Sequence, residues 1–293
     1  MFGKLLPITV ALSSLVLAQT FEWVNIVPLN IQTIPSYLYG TVAIDNSNNP
    51  VCARLIEVID SYNLKYYGVV KIEKRNTIGS PIWENTIEGK ADVLELIVDG
   101  ENNTVCIGTY RDTISIDTAQ LIHPGTGTGS FILKLDDSGN FIWIKDGTEF
   151  FSGYDVMTAL TRDNLNNYLL GISNYPIESK IYRLDTNGNI ISTIQQTGVE
   201  TISDIDVDSF GNIWVTGFVF GNQQVSFHGL DTTATFTYND YVVKYNSSGT
   251  PLWVRFVEDI TVQDFRIETD NAGNAYLSGN LFISTHFGNL LAN

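Results

Sequence analysis

Three aspartates are placed where carboxylates could hold a hard cation. Asp92, Asp155 and Asp264 each stand near the start of a segment with the pattern of an inner β-strand. Carboxylate oxygens in such positions are ligands that Ca²⁺ accepts. The alternative is that each carboxylate accepts a hydrogen bond from nearby backbone, a common role for Asp. The sequence favours this alternative, so we predict no required cofactor and keep the three residues as candidate calcium ligands only.

The histidines fall in the long connections between predicted strands, at positions His123, His228 and His286. No His-x-x-x-His pair occurs and no pair of cysteines lies close by, so the sequence does not indicate a zinc site. We expect exposed loop side chains here. His123 and His228 are candidates for contact with a ligand.

A further set of residues would suit acid–base chemistry if the fold brought them together. Arg111, Glu149, Tyr154 and Asp264 supply a cation, two carboxyls and a phenol. An enzyme acting on polysaccharide needs such groups to converge on one point. No nucleophile motif such as Gly-x-Ser-x-Gly accompanies them. We therefore assign no catalytic residue and treat these four as candidates for a ligand-binding face.

The first 18 residues have the pattern of a secretory signal peptide. Lys4 precedes an apolar run over residues 5–17, and the small residue Ala18 follows it. Such an order of charge, apolar core and small residue marks an exported protein. The run is shorter than the roughly 20 residues that a membrane span needs. We expect residues 1–18 to be removed and residues 19–293 to be secreted or held at the cell surface.

The charge balance limits the choice of partner. The chain has 16 basic and 32 acidic residues, a formal net charge of −16, and loss of Lys4 makes it more negative still. Such a surface repels phosphate backbones, so we exclude nucleic acid and expect an extracellular protein or glycan partner.

Cys52 and Cys106 are too few for a disulfide framework. We expect buried free thiols, with a bond between the two as the alternative.

An internal repeat organises the rest of the chain. Its markers are spaced by 60, 60, 49 and 61 residues, at Trp23, Trp83, Trp143, Ser192 and Trp253. Each of the last four markers is preceded by a predicted strand and then by a turn that contains Gly. A second turn type, with Asp first and Gly or Asn fourth, lies between the markers. Asp caps the N–H two residues on, and Gly or Asn adopts the left-handed conformation, so each unit is two β-hairpins. We expect the Trp side chains to pack between adjacent units rather than to stack on a ligand.

These turns and strands resemble the SBBP type of bacterial β-propeller repeat. The resemblance is carried by residues 208–217, 270–279, 131–143 and 241–253. It implies an all-β propeller of about five four-stranded blades over residues 19–293, either closed or incomplete. The first unit departs from the pattern, with Asn49-Pro50 in its turn. Because the last unit stops before its third strand, we expect the ring to be truncated at the C-terminus, with a natural five-bladed ring as the alternative.

Three functions fit this architecture. The first is a binding or scaffold module for a protein or glycan, with its site on the face opposite the tight turns, where the long loops lie. The second is an extracellular lyase or hydrolase acting on polysaccharide. The third is a structural segment of a longer adhesin-like protein. Since no catalytic constellation stands out, we favour a role without catalysis.

Overall fold

The computed structural model describes residues 40–63, 65–123, 125–151, 156–174, 178–235, 237–258, 265–279, 285–287 and 290–292. The predicted signal peptide and the marker Trp23 lie outside these ranges. Within them the chain is built from β-strands, with one 3₁₀ turn at Gly147–Glu149. The prediction of an all-β protein is confirmed.

The strands follow one another as antiparallel hairpins grouped in units, as the repeat predicts. The first unit contains β1 (Thr41–Ile44), β2 (Pro50–Tyr62), β3 (Lys65–Arg75) and the first half of β4 (Pro81–Val98). The second contains the other half of β4, β5 (Thr104–Ile116), β6 (Ala119–Ile122), β7 (Gly129–Leu135) and β8 (Phe141–Asp146). Strand β6 is an addition that pairs only with β5.

The third unit contains β9 (Val156–Arg162), β10 (Tyr168–Asn174), β11 (Glu178–Leu184) and β12 (Ile190–Thr197). The fourth contains β13 (Thr201–Val207), β14 (Ile213–Phe220), β17 (Tyr238–Tyr245) and β18 (Pro251–Glu258). Its long connection forms the hairpin of β15 (Gln223–Phe227) and β16 (Leu230–Ala234), and β15 pairs with β12 of the preceding unit. The remaining strands are β19 (Arg266–Thr269), β20 (Ala275–Ser278), β21 (Thr285–Phe287) and β22 (Leu290–Ala292).

The first two units share the long strand β4. Residues up to Ile87 pair with β3, and residues from Ala91 onward pair mainly with β5. Gly89 stands at the change of partner with φ of +102°, and a Cβ there would lie 2.2 Å from the Thr113 carbonyl oxygen. Glycine is therefore needed where the chain passes from one unit to the next.

The tight turns have the chemistry that the sequence predicts, and nine of them lie in the described residues. In the turn that begins at Asp99, its Oδ1 accepts the backbone N–H groups of Glu101 and Asn103, both at 2.9 Å. Asn102 has φ of +67°. The side-chain NH₂ of Asn103 donates a further hydrogen bond to Asp99 Oδ2 at 3.0 Å, a contact that the turn pattern alone does not predict.

Each of the first four units also carries an ion pair that joins its two hairpins. A cation on the third strand meets the carboxylate that opens the first tight turn. The pairs are Lys74–Asp45 at 2.7 Å, Lys134–Asp99 at 3.2 Å, Arg183–Asp163 at 3.1 Å and Lys244–Asp208 at 3.2 Å. The cations are mostly buried, so the pairs fix the two turns of a unit beside each other on one face, which we call the turn face.

Adjacent units pack sheet against sheet. On β5, Val105 and Ile107 join a cluster with Tyr168 of the third unit. Cys106, between them on the strand, joins a cluster that contains Val70 of the first unit. The alternation of side chains along a strand therefore buries both faces of the second sheet between its neighbours.

The marker tryptophans hold neighbouring units together, as predicted. The indole N–H of Trp83 donates to the Asp137 carbonyl at 2.9 Å, and that of Trp143 donates to the Thr186 carbonyl at 3.3 Å. Both acceptors belong to a turn of the following unit. Where Ser192 replaces Trp, the Arg183 side chain donates to the Ser247 carbonyl of the next unit at 2.7 Å.

Gly139 allows the Trp83 contact, so we expect Gly139→Ala to destabilise the protein more than Gly221→Ala. Both glycines have positive φ, at +81° and +83°, which costs about 1–2 kcal/mol for a residue with a Cβ. At Gly139 the new Cβ would also lie 2.5 Å from the indole, whereas nothing lies within 4 Å of it at Gly221. Urea denaturation measures both free energies of unfolding. Equal losses would mean that the indole contact is unimportant.

The two cysteines are unbonded, which confirms the prediction of free thiols and excludes the bond between them. Cys106 is buried as expected, with 1% of its surface exposed, whereas Cys52 is only half-buried. Burial raises the pKa of the Cys106 thiol to about 12 and that of Cys52 to about 11. Both are therefore poor nucleophiles at neutral pH.

Candidate functional site

The connections opposite the turn face form a second face, which we call the loop face. Two of the long connections, predicted as loops, contain strands: β6 folds back on β5, and β15 pairs with β16. This corrects the expectation of irregular loops there. Backbone pairing makes these projections rigid extensions of the sheets.

Arg111 lies on the loop face and is the centre of a group of side chains from both of the first two units. Its Nη1 donates to Asp60 Oδ2 at 2.8 Å, and its Nη2 donates to the Thr126 carbonyl at 3.1 Å. The guanidinium carbon lies 4.3 Å from the centre of the Tyr62 ring. A guanidinium held over an aromatic face in this way makes a favourable cation–π contact.

Lys90 and Asp112 complete this group, which we call the loop cluster: Asp60, Tyr62, Lys90, Arg111, Asp112 and Thr126. Lys90 lies opposite Arg111 in the β4–β5 pairing. Its ammonium contacts the Asp112 carboxylate and lies 3.4 Å from Asp60 Oδ2. The cluster therefore balances two cations against two carboxylates.

The charges of the loop cluster reinforce one another. A hydrogen bond from the Ser61 N–H, together with the neighbouring Lys90 and Arg111, lowers the pKa of Asp60. The hydrogen bond to Asp112 raises the pKa of Lys90. Both shifts favour the charged forms of Asp60 and Lys90, so the cluster holds paired charges around a tyrosine ring with 40% of its surface exposed.

His123 and Glu149 lie in the same unit, each with its own partners. The His123 ring meets the Tyr110 ring edge-on at 6.0 Å, and its backbone N–H donates to the Asp112 carbonyl at 2.7 Å. Glu149 accepts the Asp146 N–H at 3.2 Å and thereby caps the 3₁₀ turn. His123 is half-buried, which corrects the expectation of an exposed loop histidine.

The other predicted residues do not join this group. His228 lies in the β15–β16 turn, where its Nδ1 accepts the Gln195 N–H at 3.2 Å. It is exposed, as predicted, and this bond gives it a structural role against β12. Tyr154, Asp155 and Asp264 lie outside the described residues, as does the side chain of His286.

Asp92 lies in β4, close to the point where this continuous strand passes from the first unit into the second and begins to pair with β5. Burial raises its pKa to about 6, although the charge of Lys65 opposes the shift. In the part of the chain that the structure describes, no three His, Cys, Asp or Glu side chains form a group that could hold a metal ion.

The sequence motifs give no indication of two carboxylates that lie on the first strands of the second and fourth units. Glu95 Oε2 accepts the Leu160 N–H at 2.8 Å, and Asp204 Oδ2 accepts the Ile267 N–H at 2.9 Å. Each carboxylate stands four residues before the turn aspartate of its own unit and bonds to the first strand of the next unit. A β-bulge directly precedes both residues, and bulges redirect side chains in this way.

The surroundings of these carboxyls favour their protonated forms. Burial, with the nearby Asp204 charge, raises the pKa of Glu95 to about 8. Burial likewise raises the pKa of Asp204 to about 6. In the sequence, each of these residues can be recognised as an acidic residue four positions before a turn aspartate, as Glu95 stands before Asp99.

The sequence of the chain is distantly similar to that of one known repeat protein. No protein-family model matches the chain. The chain is 22% identical to an uncharacterized WD repeat-containing protein of Acanthamoeba polyphaga mimivirus, over 57% of this chain and 16% of that protein. The chain therefore spans only a small part of this relative's length. A protein of unknown function from Bacteroides caccae overlaps 75% of this chain and 82% of its own, with 11% identity and a TM-score of 0.41, too low to bear on the fold.

Among the residues that the structure describes, no helix has the length and apolar character needed to cross a membrane.

Proposed function

We propose that this protein is an extracellular binding or scaffold module that presents the loop cluster to a protein or glycan partner. The observation that carries the proposal is the fixed arrangement of Arg111, stacked on the exposed Tyr62 ring and paired with Asp60. Arg and Tyr dominate the binding energy of protein interfaces. Because these side chains are already ordered, a partner would lose little entropy in engaging them.

The scaffold that we propose is a β-propeller of about five blades, built from SBBP-type repeats. The stacked units with a common turn chemistry support this interpretation, and the similarity to a WD repeat-containing protein is compatible with it. The pattern of residues 1–18 supports export to the outside of the cell or to its surface.

The proposal is tested with a glycan array and a panel of extracellular proteins, using the mature chain. The Tyr62→Ala and Arg111→Ala variants are expected to weaken binding about tenfold or more, since each removes a central side chain of the cluster. Gln224→Ala, at an exposed position of β15 on the other projection, serves as the matched control. Thermal melting of every variant separates loss of binding from loss of fold.

Other outcomes would favour the other two functions. Polysaccharide turnover without binding to the panel would overturn the module and favour an enzyme. Binding that survives both loop-cluster substitutions would place the interface elsewhere. A reading frame that continues into further adhesin-like repeats, with no binding by this segment, would favour the structural role.

A further inference from the structure

A cleft opens on the turn face between the first and second units. Its volume is about 360 Å³, within the roughly 300–1,000 Å³ that ligand sites occupy. The loop cluster lies on the opposite face, so the proposed function leaves this cleft without a role. The cleft lining that matters for recognition comprises Ser47, Ile82, Trp83, Asn102, Asp137 and Ser138.

One wall of the cleft is apolar and rigid. Ile82 has 50% of its surface exposed, and the half-buried Trp83 lies next to it on β4. The indole cannot turn freely, because its N–H donates to the Asp137 carbonyl and Gly139 packs against its ring. The indole is thus packed between the two units, and the part of it that lines the cleft adds a fixed apolar edge beside the exposed Ile82.

The rest of the cleft lining is polar. Ser47 and Ser138 bring hydroxyl groups, which both donate and accept hydrogen bonds. Asn102 brings an amide whose orientation is set by the Asn46 N–H, which donates to Asn102 Oδ1 at 3.0 Å. Ser47, Asn102 and Ser138 all belong to tight turns, so their positions are fixed by the turn hydrogen bonds.

The charged groups of the cleft exclude anions. The buried Lys74 ammonium contacts the carboxylates of Asp45, at 2.7 Å, and of Asp137. Two carboxylates against one ammonium leave a net negative charge, which repels phosphate and sulfate groups. The Asp137 side chain is 54% exposed, so its carboxylate stays available to accept hydrogen bonds.

The corresponding junction of the second and third units differs in its charged groups. Thr186 stands where the first junction has Asp137, and Lys134 donates to the Thr186 carbonyl at 3.3 Å. The Asp137 carboxylate is therefore found at the first of these two junctions and not at the second, whereas the Ile–Trp pair recurs at both.

We propose that the cleft binds a neutral saccharide of one or two rings. A sugar ring has a C–H face that packs on apolar and aromatic groups, and hydroxyls at its edge that pair with serine, amide and carboxylate groups. Trp83 with Ile82 supplies the first surface, and Ser47, Asn102, Asp137 and Ser138 supply the second. A few polar groups around an apolar wall are typical of small-molecule sites.

Ser138→Phe is designed to fill the cleft without disturbing the turn. Ser138 is the third residue of its turn, and other turns carry Ile78, Leu165 and Phe210 at that position. The matched control is Asn187→Phe, the same position in the corresponding turn of the third unit. A second variant, Ile82→Asp, removes the apolar wall and is matched by Ile142→Asp, at the equivalent exposed position of the second unit.

The measurement is saturation-transfer NMR of the mature protein with maltose, cellobiose, diacetylchitobiose and mannobiose, followed by titration of those that bind. We expect at least one disaccharide to bind the wild type and both controls, and to bind Ser138→Phe and Ile82→Asp about tenfold more weakly or not at all. Absence of binding by all four sugars overturns the proposal. Equal affinity in the cleft variants, or equal losses in the controls, also overturns it. Because the loop cluster is on the other face, Arg111→Ala should leave this binding intact.

Discussion

Replacing Glu95 with Gln is expected to stabilise the protein about 3 kcal/mol more at pH 8 than at pH 5. Burial, with the charge of Asp204, raises the pKa of Glu95 in the folded protein to about 8, against an ordinary value of 4.5. The folded state then holds this proton more tightly than the unfolded state. Stability is present below the ordinary pKa and falls as the pH rises toward 8, by at most about 1.4 kcal/mol for each pH unit.

The Gln side chain keeps the useful contact and removes the charge. Its amide oxygen still accepts the Leu160 N–H, which Glu95 accepts at 2.8 Å. No buried charge forms as the pH rises, so the variant loses the penalty that the carboxylate imposes. The raised pKa values of Asp92 and Asp204 act in the same direction, so some pH dependence remains in the variant.

Urea denaturation of both proteins at several values between pH 5 and pH 8 measures the difference. The control is Glu84→Gln, since Glu84 lies at the surface with 59% of its side chain exposed. That substitution should change stability by similar small amounts at every pH. A wild-type stability that stays constant from pH 5 to pH 8 would show that Glu95 is not held protonated in the fold.

The turns and units could be predicted because their signals are local. Asp99 finds its hydrogen-bond partners within four residues, and Asn102 adopts positive φ within the same turn. Two hairpins per unit follow from these turns directly. The β6 and β15–β16 projections could not be found in this way, because their segments read as polar loops and gain strand structure by pairing with existing sheet edges.

The candidate site was predicted only in part, for a related reason. The sequence places Arg111 on the loop face, but its partners Asp60 and Tyr62 come from the preceding unit, about 50 residues earlier. Likewise, Glu95 bonds to a strand 65 residues away. Contacts between units depend on how the sheets stack, which the spacing of turns within a unit does not specify.

Lys134→Met is expected to destabilise the protein by about 3 kcal/mol or more. The Lys134 ammonium lies 3.2 Å from Asp99 Oδ2, and the two side chains are 5% and 0% exposed. Removal of one partner from a buried ion pair leaves the other charge uncompensated, which typically costs about 3–5 kcal/mol. Met keeps most of the side-chain volume, so the loss reports on charge rather than on a cavity. Urea denaturation at pH 7 gives the free energy of unfolding.

The expected loss of unfolding free energy lies near the lower limit of this range because Asp99 retains other partners. It still accepts the Tyr168 hydroxyl at 2.8 Å and the Asn103 side-chain NH₂ at 3.0 Å, bonds that help to hold its pKa low against the effect of burial. A second substitution, Asp99→Asn, removes the stranded charge, so Lys134→Met should cost less in that background.

Lys71→Met provides the matched control. Lys71 pairs with Glu84 at 2.8 Å, a shorter distance than the Lys134 pair, yet the Glu84 side chain is 59% exposed. Exposed pairs contribute about 0–1 kcal/mol, so this loss should be small despite the closer contact. A much larger loss of unfolding free energy in Lys134→Met than in Lys71→Met would identify the buried pair as the interaction that holds the two hairpins of a unit together. The same would then be expected of the other three units that have a cation at this position. Similar small losses would instead assign that role to the turn hydrogen bonds and the sheet pairing.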